Sequence, residues 1–478
     1  MSEELGVTVK RSEDFSKWYL EVVRKGNFID QRSPIKGFDV IMPWGYAVWE
    51  TIQKKFDGLI KDYGVQNCYF PMLIPERLLK KEEEHMKGFK AETIMATEAG
   101  GEKLEERYAL RPTSETIMYY MFNLWVRSYK DLPLKVNQWC NIVRWDTKVT
   151  KPFLRGREFL WQEGHTAHET REDAEQLIGH VVAMYYEIYK MMAITPMILV
   201  RPKSDTFAGA DFSVVFDTML QDGKVSQGPG THMLGQHFSK AFDIQFLDKD
   251  NVKKHVWQTS WGLTTRQIGI LIMHHGDDKG AVLPPLLSPV QVAIVPILFK
   301  GKEDVVKEMC RGLAAKLKEF RIQLDDREYT AGFKFNDWEL KGVPLRIELG
   351  PRDIESGEVA YVTRLGAKGK LKNDDSLMEE VKKLLDGIQD EMSKKSEHFL
   401  FSNIHNVTDL HELKEKSEKG GWFRGNWCGS GECEALIKSQ SGGAEIRGTL
   451  YNKEEKCFAP CLHCGKEAKH VVYIARAY

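Results

Sequence analysis

The stretch WCNIVRWDTKVTKPFLRGREFLWQEGHTAH, residues 139–168, is the segment that decides the fold of this chain. Its pattern predicts two strands, over residues 136–145 and 158–168, joined by a basic loop. Arg144 falls inside the first predicted strand, where a guanidinium is costly unless it meets an anion. The loop carries four more cationic side chains, Lys148, Lys151, Arg155 and Arg157. The segment therefore predicts a hairpin that binds an anion.

A second arginine stands far downstream, in GLTTRQIGILIMHH, residues 262–275. The apolar periodicity after Arg266 predicts a helix with this arginine at its entrance. A guanidinium can hold carboxylate and phosphate oxygens in a forked geometry. Two such arginines on separate elements predict a polyphosphate held bent between them.

Four short segments carry a family resemblance: RPTSET (111–116), RWD (144–146), PFLRGREFLWQEGHTAH (152–168) and SWGLTTR (260–266). They resemble motifs 2 and 3 of class II aminoacyl-tRNA synthetases, and their wording is similar to that of the prolyl-tRNA synthetase family. The likeness covers nearly the whole chain and is closest to the archaeal and eukaryotic-like form. The interval between residues 168 and 260 is too short for the editing domain that bacterial-type relatives insert between motifs 2 and 3.

The totals fit a multidomain globular protein. A length of 478 residues predicts about three domains, and the hydrophobic fraction is an ordinary 42%. The net charge of −1 gives no sign of nucleic acid, so RNA contacts must use local basic patches. The charged N-terminus lacks the apolar core of a signal peptide, and no apolar run approaches the roughly 20 residues that span a bilayer. We therefore expect a cytoplasmic protein with no membrane contact.

The expected fold class is α+β, in three parts. Residues 1–285 are expected to form an antiparallel-sheet catalytic domain with motifs 1, 2 and 3. Residues 286–393 follow a proline-rich boundary and alternate strands with helices, as in a small α/β domain, which the resemblance makes anticodon-binding. Residues 394–478, richer in Lys, Glu, Gly and Cys, are expected to form a small zinc-binding α+β domain. Helices are predicted over 13–24, 44–63, 304–320 and 377–392.

The helix at 44–63 and the strand-like VQNCYFPMLIP after it match motif 1, which builds the dimer interface in the resembled family. The resemblance thus implies a homodimer. Without the other motifs, a buried helix followed by an edge strand explains the same pattern.

The resemblance implies activation of L-proline with ATP to prolyl-adenylate and pyrophosphate, followed by transfer to the 3′ end of tRNA(Pro). The attacking carboxylate is already ionised near neutral pH, so the reaction needs positioning and charge cancellation rather than a general base. Arg144 and Arg266 are the catalytic candidates, and Mg²⁺ is expected with ATP. The ATP-binding candidates are Arg144, Asp146, Arg155, Gly156, Gln227, Gly230, Thr264 and Arg266.

Two ATP positions depart from the family pattern. Asp146 stands where the family has Glu, a shorter carboxylate that can still contact the adenine or metal side. Gly230 stands where the family often has Thr, so a side-chain contact is lost at Gly230 and a backbone contact can remain. Taken alone, Arg144 would fit a buried salt bridge, and the glycines of QGPGTHMLGQ (227–236) would fit ordinary turns.

A proline pocket needs acceptors for a cyclic ammonium on one side and flat apolar walls on the other. The resemblance assigns these roles to Thr113, Glu115, Arg144, Phe159, Trp161, Glu163, His165, His232 and Ser260. Thr113 and Ser114 also fit a helix N-cap, and Trp161 alone would more often be a core residue.

The segment KFNDWELKGVPLRIELGPRDI, residues 334–354, matches the part of the family that reads the anticodon. Its candidates, suited by type to stack on or hydrogen-bond unpaired bases, are Phe335, Glu339, Arg346, Arg352 and Asp353. A β-hairpin with a charged surface is the alternative interpretation.

Five of the eight cysteines lie after residue 426. Cys428 and Cys433 form one close pair and Cys461 and Cys464 another, a spacing that suits a structural zinc site with four thiolate ligands. Cys457 and His463 are alternative ligands, and free thiols remain an alternative to metal.

Two smaller expectations concern the end of the chain. MSKKS (392–396) resembles the lysine loop of class I synthetases only superficially, and we interpret it as a solvated helix end. In relatives the C-terminal tyrosine packs toward the catalytic domain, so we expect Tyr478 to be buried.

Two other functions stay open at this point. One is a related class II synthetase for threonine or glycine. The other is a synthetase-like protein that binds RNA without catalysis, which the intact arginines at 144, 155 and 266 disfavour.

Overall fold

The first 275 residues build an antiparallel sheet backed by helices. A computed structural model of the chain describes residues 6–85, 92–146 and 148–478. The helices of this part are α1 (Phe15–Lys25), α2 (Pro43–Asp62), α3 (Glu76–His85), α4 (Glu115–Trp125), α5 (Arg171–Met191), α6 (His237–Ala241) and α7 (Arg266–His275). The strands are β1 (Ile29–Asp30), β2 (Val40–Ile41), β3 (Gln66–Asn67), β4 (Leu73–Pro75), β5 (Met95–Ala99), β6 (Glu102–Leu110), β7 (Leu134–Val143), β8 (Glu158–His168), β9 (Met197–Val200), β10 (Phe212–Met219), β11 (Val225–Gly235), β12 (Gln245–Leu247), β13 (Lys253–His255) and β14 (Trp257–Thr264).

The predicted hairpin, strands β7 and β8, lies at one end of a run of six antiparallel strands in the central sheet. The strand order there is β9-β10-β11-β14-β8-β7, and every neighbouring pair is antiparallel. β8 has the predicted bounds, whereas β7 ends at Val143, before Arg144. The Arg144 N–H bonds to the carbonyl of Arg157 at 2.8 Å. Arg144 therefore lies at the end of the strand, where its side chain can leave the sheet.

Alternation along the strands divides the sheet into a packed face and an open one. On the packed face, α1, α2, α5 and α7 cover a core that includes Trp49, Phe56, Tyr185, Trp261 and Leu271. Trp261 takes the space opposite Gly164, where an added Cβ would lie 2.0 Å from the indole. The odd-numbered residues of β8 and the even-numbered residues of β14 face the other way, where the cavity described below lies.

The second part is a five-stranded mixed sheet with helices. Its elements are β15 (Val292–Pro296), α8 (Glu303–Lys316), β16 (Ile322–Leu324), α9 (Ala331–Lys341), β17 (Leu345–Leu349), α10 (Pro351–Ser356), β18 (Glu358–Thr363), β19 (Lys368–Lys372) and α11 (Leu377–Ser402). The order is β16-β15-β17-β18-β19, parallel across the first three strands and antiparallel after them.

The hairpin interpretation of residues 334–354 is wrong. This segment is the end of α9, then β17 and the start of α10. Thr330 caps α9 by accepting a hydrogen bond from the Phe333 N–H at 3.3 Å, and Gly342 ends it with a φ of 81°. These local signals stabilise a helix where the alternative interpretation had one strand of a hairpin.

The third part extends the first sheet. Its elements are β20 (Ile404–Asn406), α12 (Leu410–Ser417), β21 (Trp422–Trp427), α13 (Gly431–Gln440), β22 (Ala444–Leu450) and β23 (His470–Arg476). β22 pairs with β9, so the strands β20-β21-β23-β22 continue the central sheet to eleven strands, with β3 at its far edge. The α+β class is confirmed, with the two end parts joined through one sheet.

Helix α11 corrects the interpretation of MSKKS. The helix continues through residue 394, the predicted start of the third domain, and ends at Ser402. Met392 and Ser396 are both buried. The Ser396 hydroxyl lies 2.8 Å from His274 Nε2 of α7. The segment is therefore a packed helix interior and not a solvated end, because its Met and Ser face the first part at helical spacing.

Tyr478 is not buried, since its exposed fraction is 39%. It still packs against the first part: its N–H bonds to the Val225 carbonyl at 3.0 Å, and Lys151 Nζ lies 4.5 Å from its ring centre. Its hydroxyl donates a hydrogen bond to Asp222. Among the described helices, none has the length and apolar character to cross a membrane.

Candidate active site

The open face of the central sheet carries a cavity of about 310 Å³. All nine predicted proline-binding residues line it: Thr113, Glu115, Arg144, Phe159, Trp161, Glu163, His165, His232 and Ser260. Arg144 is also an ATP-binding candidate, and four more of these candidates line the cavity: Gln227, Gly230, Thr264 and Arg266. The fold thus brings together, in one cavity, side chains from segments that lie more than a hundred residues apart in the sequence.

A smaller cavity of about 170 Å³ adjoins the first one. The two share Arg144, Phe159, Thr264 and Arg266 as a common wall. The remaining ATP candidates, Asp146, Arg155 and Gly156, line the smaller cavity. A ligand with a compact end and a long anionic tail could therefore occupy both.

A buried carboxylate forms part of the floor of the larger cavity. Glu163 accepts hydrogen bonds from the Ser114 hydroxyl, from Gln138 Nε2 at 2.6 Å and from His165 Nε2 at 3.3 Å. Burial alone would raise the pKa of Glu163, but His165 and the other donors outweigh it and hold the pKa below the ordinary value. The floor is therefore negatively charged near neutral pH. Ser114 is at the N-cap position of α4 but makes no side-chain cap, because its hydroxyl is used here.

Aromatic rings form the walls. Phe159 and Trp161 meet edge to face with centroids 6.1 Å apart, and the indole N–H of Trp161 points to Cys140 Sγ at 3.2 Å. Opposite them, His232 lies 4.8 Å from the ring of Phe207. Because Trp161 is only partly buried and lines the cavity, it lies in the wall rather than in the core.

His232 is a neutral wall residue. Burial, helped by nearby His165, lowers the pKa of His232 to about 4. Its Nδ1 lies 2.7 Å from the Ser213 hydroxyl, which fixes the ring. A neutral ring can close over an ammonium-bearing ligand without repelling it.

Arginines line the junction of the two cavities. Arg144 Nε donates to the Pro112 carbonyl at 2.9 Å, and its guanidinium lies 5.6 Å from the Phe159 ring and 5.9 Å from that of Trp161. Arg266 donates to the carbonyls of Leu154 and Gln227, each at 3.1 Å. Neutral partners fix both heads, and within the described residues neither side chain has a carboxylate within 4 Å. The buried salt bridge suggested as an alternative for Arg144 is thus not found there.

The electrostatics favour an incoming anion. Burial lowers the pKa of Arg144, and burial together with the charges of Arg144 and Arg155 lowers the pKa of Arg266 to about 10. The positive charges of Arg144 and Arg155 therefore disfavour a third charge on Arg266. A polyphosphate would relieve that repulsion and restore the solvation lost on burial.

The sequence interpretation missed several lining residues: Arg201, Asp205, Phe207, Ser213, Val215, Gly228, Trp261 and Gly262. Arg201 carries a signal that could have found it, because it directly follows the apolar strand MILV. An arginine at the end of a buried strand is the same feature that singled out Arg144.

The anticodon candidates lie on the second part, away from the cavity residues in sequence. Arg346 lies 4.2 Å from the ring of Phe335 and pairs with Glu348 at 2.9 Å. Glu339, one turn after Phe335, pairs with Lys279 at 3.1 Å. Asp353 accepts the Gly350 N–H at 3.0 Å and thereby caps α10, and Arg352 beside it is exposed. These residues stay predictions, with the Asp353 side chain already used within the fold.

Four cysteines converge in the third part. The Sγ atoms of Cys428, Cys433, Cys461 and Cys464 all lie within 4.8 Å of one another. A tetrahedral site with Zn–S bonds of roughly 2.3 Å requires S–S separations of roughly 3.8 Å, and Cys428 and Cys464 are 3.9 Å apart. Burial would raise the pKa of Cys461, but the backbone N–H groups of Cys464 and His463 lower it to about 7. The set fits a thiolate-binding metal, and Cys457 and His463 are not members of it.

The antiparallel sheet with arginines at its paired cavities defines a class II aminoacyl-tRNA synthetase. The family model for the "tRNA synthetase class II core domain (G, H, P, S and T)" matches residues 90–275, and the "Anticodon binding domain" model matches 291–386. The model "Prolyl-tRNA synthetase, C-terminal" matches residues 410–478. The chain belongs to the prolyl-tRNA synthetase family, a family of ATP-dependent ligases.

Relatives of this chain carry the name proline–tRNA ligase. The chain is 45% identical to the proline–tRNA ligase of Alkaliphilus oremlandii (strain OhILAs) over 469 residues, 97% of this chain and 96% of that one. It is 43% identical to that of Natronomonas pharaonis over 480 residues, 100% and 99% of the two chains. A crystal structure of prolyl-tRNA synthetase from Cryptosporidium parvum, complexed with halofuginone and AMPPNP, superposes with a TM-score of 0.94 at 39% identity and 99% coverage of both chains. The threonine, glycine and non-catalytic alternatives are therefore set aside.

Proposed function

We propose that this chain activates L-proline with ATP to prolyl-adenylate and pyrophosphate, then transfers the prolyl group to the 3′ end of tRNA(Pro). One observation supports this most: a compact cavity with an anionic floor and aromatic walls opens directly into an arginine-lined cavity. The first suits a cyclic ammonium, and the second suits a polyphosphate. The relative from Cryptosporidium parvum, crystallised with the ATP analogue AMPPNP, supports a nucleotide in this chain as well.

In this proposal the larger cavity binds proline. Its ammonium has two N–H donors, which Glu115, Thr113 and the charged floor at Glu163 can receive. The pyrrolidine ring fits between the Trp161 and Phe159 wall and the neutral ring of His232. The same surfaces would reject a larger or more polar side chain.

Arg144 lies where the substrate carboxylate and the α-phosphate would meet. We assign it the role of holding both oxygens as the carboxylate attacks and the bond to pyrophosphate breaks. Arg266 and Arg155 would hold the outer phosphates. Catalysis then comes from alignment and from cancellation of negative charge in a water-poor site, and no side chain has to remove a proton.

Mg²⁺ accompanies ATP in this proposal. Asp146, at the edge of the smaller cavity, is the carboxylate placed to contact it or the adenine side of the nucleotide. The ion would supply further neutralisation of the phosphates. Gln227, Gly230, Thr264 and Gly156 would contact the nucleotide through side-chain or backbone groups.

The first experiment is amino-acid-dependent exchange of labelled pyrophosphate into ATP, with each standard amino acid in turn. Exchange led by proline supports the proposal, and exchange led by another amino acid refutes the pocket assignment. We expect Arg144→Lys to lose roughly 100-fold or more in kcat, because Lys cannot hold two oxygens in a fork. Lys148→Gln is the matched control, an exposed cation in the same loop, and should stay within about twofold.

For tRNA we propose that residues 286–393 form an anticodon-binding domain, with Phe335, Glu339, Arg346, Arg352 and Asp353 as its contacts. Exposed Arg352 gives the cleanest test. Arg352→Ala should raise the KM for tRNA(Pro) roughly tenfold by the loss of a hydrogen bond to a base or phosphate. Pyrophosphate exchange, which needs no tRNA, should stay unchanged. An unchanged KM for tRNA would remove Arg352 from the contact set.

For the third part, residues 394–478, we propose a structural zinc ion held by Cys428, Cys433, Cys461 and Cys464. Bound zinc would connect two regions: the loop after β21 together with α13, and the segment before β23. No disulfide bond joins these regions, since their cysteines are free. Elemental analysis should find about one zinc per chain in the wild type and none in Cys461→Ser, which should also melt at a lower temperature. The control Cys457→Ser should keep both the metal and the melting temperature. Metal-free wild-type protein with the same stability would refute the site.

We further propose a homodimer in the cytoplasm, where tRNA charging serves translation. An apolar surface of Tyr69, Met72, Leu73, Tyr120, Leu124 and Trp125, each at least 40% exposed, supports self-association. It includes the strand β4 and α4 of the catalytic part, and we call it the apolar patch.

A further inference from the structure

A buried ion cluster connects strand β22 of the third part to the back of the cavity. It consists of Arg201, Asp217 and Arg447, whose side chains are 1%, 0% and 6% exposed, and we call it the Asp217 cluster. Arg201 donates to the two carboxylate oxygens of Asp217 at 3.0 and 2.8 Å. Arg447, from the third part, donates to the same two oxygens at 2.7 and 3.3 Å. Asp217 is thus held from two sides by residues 246 positions apart in sequence.

The cluster reaches the cavity through Arg201, which lines it, and through the Gln227 amide that Arg201 holds. Arg201 Nη2 donates to Gln227 Oε1 at 3.0 Å. Arg266 donates to the backbone carbonyl of Gln227 at 3.1 Å. Because a guanidinium holds its side-chain oxygen, the amide of Gln227 turns its NH₂ group away from Arg201, where this group can donate to a ligand. The direction of that donor therefore depends on Arg201.

Strand pairing brings Arg447 to this position. β22 pairs with β9 through Thr449 opposite Val200 and Leu450 opposite Leu199. Gly448 makes the close approach possible, because an added Cβ there would lie 2.2 Å from the Val200 carbonyl oxygen. The carbonyl of Arg447 also accepts a hydrogen bond from Arg201 at 2.6 Å. Removal of the Arg447 side chain would leave the strand pairing in place and take away half of the donors to Asp217.

The negative charge of Asp217 is stabilised in part by Arg447. Burial alone would raise the pKa of Asp217, and Arg201 and Arg447 together outweigh burial and lower it. Arg447 also pairs with Glu445 at 2.6 Å, which balances its charge. With Arg447 absent, Arg201 must satisfy Asp217 alone, and its fork can rotate away from Gln227 to do so.

We propose that Arg447 is a positioning residue for adenylation: acting through Asp217 and Arg201, it orients the Gln227 amide toward ATP. The third part is then a component of the nucleotide site although it touches no substrate. This inference rests on the proposed function, in which Gln227 contacts ATP.

The test measures KM for ATP and for proline separately in pyrophosphate exchange. Arg447→Gln should raise the KM for ATP about tenfold, the usual loss for one weakened charged hydrogen bond, and leave the KM for proline within twofold. Arg447→Lys keeps the charge with fewer donors, so its KM for ATP should lie between those of the wild type and Arg447→Gln. This variant replaces Arg447→Gln in the test if the Gln variant does not fold. Arg424→Gln is the matched control: Arg424 pairs with Glu455 at 3.0 Å in the same part of the chain and should leave both KM values unchanged.

A double-mutant cycle with Gln227→Ala separates this inference from the proposed function. If Arg447 acts through Gln227, Arg447→Gln adds nothing to the KM for ATP of Gln227→Ala. The positioning role is overturned if the effects of the two substitutions on the KM for ATP multiply, or if Arg447→Gln raises both KM values equally. The ATP contact of Gln227 would still stand in that case. If Gln227→Ala alone leaves the KM for ATP unchanged, the proposed contact itself fails and the inference with it.

Discussion

Burial fixes the protonation state of His274, at the C-terminal end of α7. Its Nδ1 faces the Met219 carbonyl at 2.8 Å, so this nitrogen must carry the proton. Its Nε2 must then accept from Ser396, whose oxygen also accepts the Thr195 N–H at 2.9 Å. A second proton on the ring would force the Ser396 hydroxyl from donor to acceptor and leave its hydrogen without this partner in a buried site. Accordingly, burial lowers the pKa of His274 to about 4.

This histidine predicts a loss of stability in acid. Its ordinary pKa of 6.5 exceeds the folded value of about 4, so between those pH values the unfolded chain binds more protons. The free energy of unfolding should therefore fall as the pH drops from about 6.5 toward 4. At pH 5 the contribution is on the order of 2 kcal/mol. Urea unfolding at pH 7.5 and pH 5.0 should show a smaller acid loss in His274→Gln than in the wild type.

His411 supplies the control for that comparison, since it is an exposed histidine of α12. His411→Gln should lose as much stability between pH 7.5 and 5.0 as the wild type does. Equal acid losses in the wild type and in His274→Gln would contradict the assignment. His232, with a pKa also near 4, contributes in the same direction and explains why the loss will not vanish in the single variant.

At the scale of elements, alternation and periodicity predicted β8 with its observed bounds and placed Arg266 at the first position of α7. They did not reveal the helix α9 within residues 334–354, because its cap at Thr330 and its stop at Gly342 lie outside the apolar pattern. They also missed the continuation of α11 to Ser402. That helix gains its last turns from tertiary contacts with α7, which no local signal encodes.

A buried arginine connects the second part to the segment that directly follows α7. Arg364 follows β18, and its Nη1 donates to Asp277 at 2.7 Å while its Nε donates to the Glu339 carbonyl at 2.9 Å. This contact links the proposed anticodon-reading helix α9 to the catalytic part. Arg364→Met should lower kcat/KM for tRNA charging about tenfold by loosening that link. Proline-dependent pyrophosphate exchange should be retained.

Arg311 is the matched control in the second part, because it pairs with Glu308 and both side chains are mainly exposed. Arg311→Met should leave charging and exchange unchanged. Parallel losses of charging and exchange in Arg364→Met would indicate general unfolding, and unchanged charging would show that the ion pair does not align the two parts.

At the scale of the molecule, sequence patterns gave three parts but not their connection. The strand pair β22–β9 brings Arg447 against Asp217, and the strands that carry these residues, β22 and β10, share no motif. Contacts between segments more than 200 residues apart leave no periodic trace, so only the three-dimensional structure reveals them. The cavity was more predictable, because family motifs carry its residues in short, recognisable runs.

The apolar patch predicts the state of assembly. Tyr120 and Leu124 lie one turn apart on α4, and the Trp125 ring beside them is 5.7 Å from that of Phe70 on the segment before β4. Exposed apolar surface of this extent is stabilised by burial against a second copy. Light scattering during gel filtration should give twice the 55.0 kDa chain mass for the wild type and the single mass for Leu124→Asp. A buried carboxylate without a partner would cost more than the interface gains at that position.

Val305 gives the matched control, as an exposed apolar residue of α8, 57% accessible and far from α4 in sequence. Val305→Asp introduces the same charge and should remain dimeric. A wild type that elutes as a monomer at micromolar concentration would refute self-association. If Leu124→Asp stays a dimer while the wild type is one, the interface must lie elsewhere on the surface, and the apolar patch would then have to be covered by another partner.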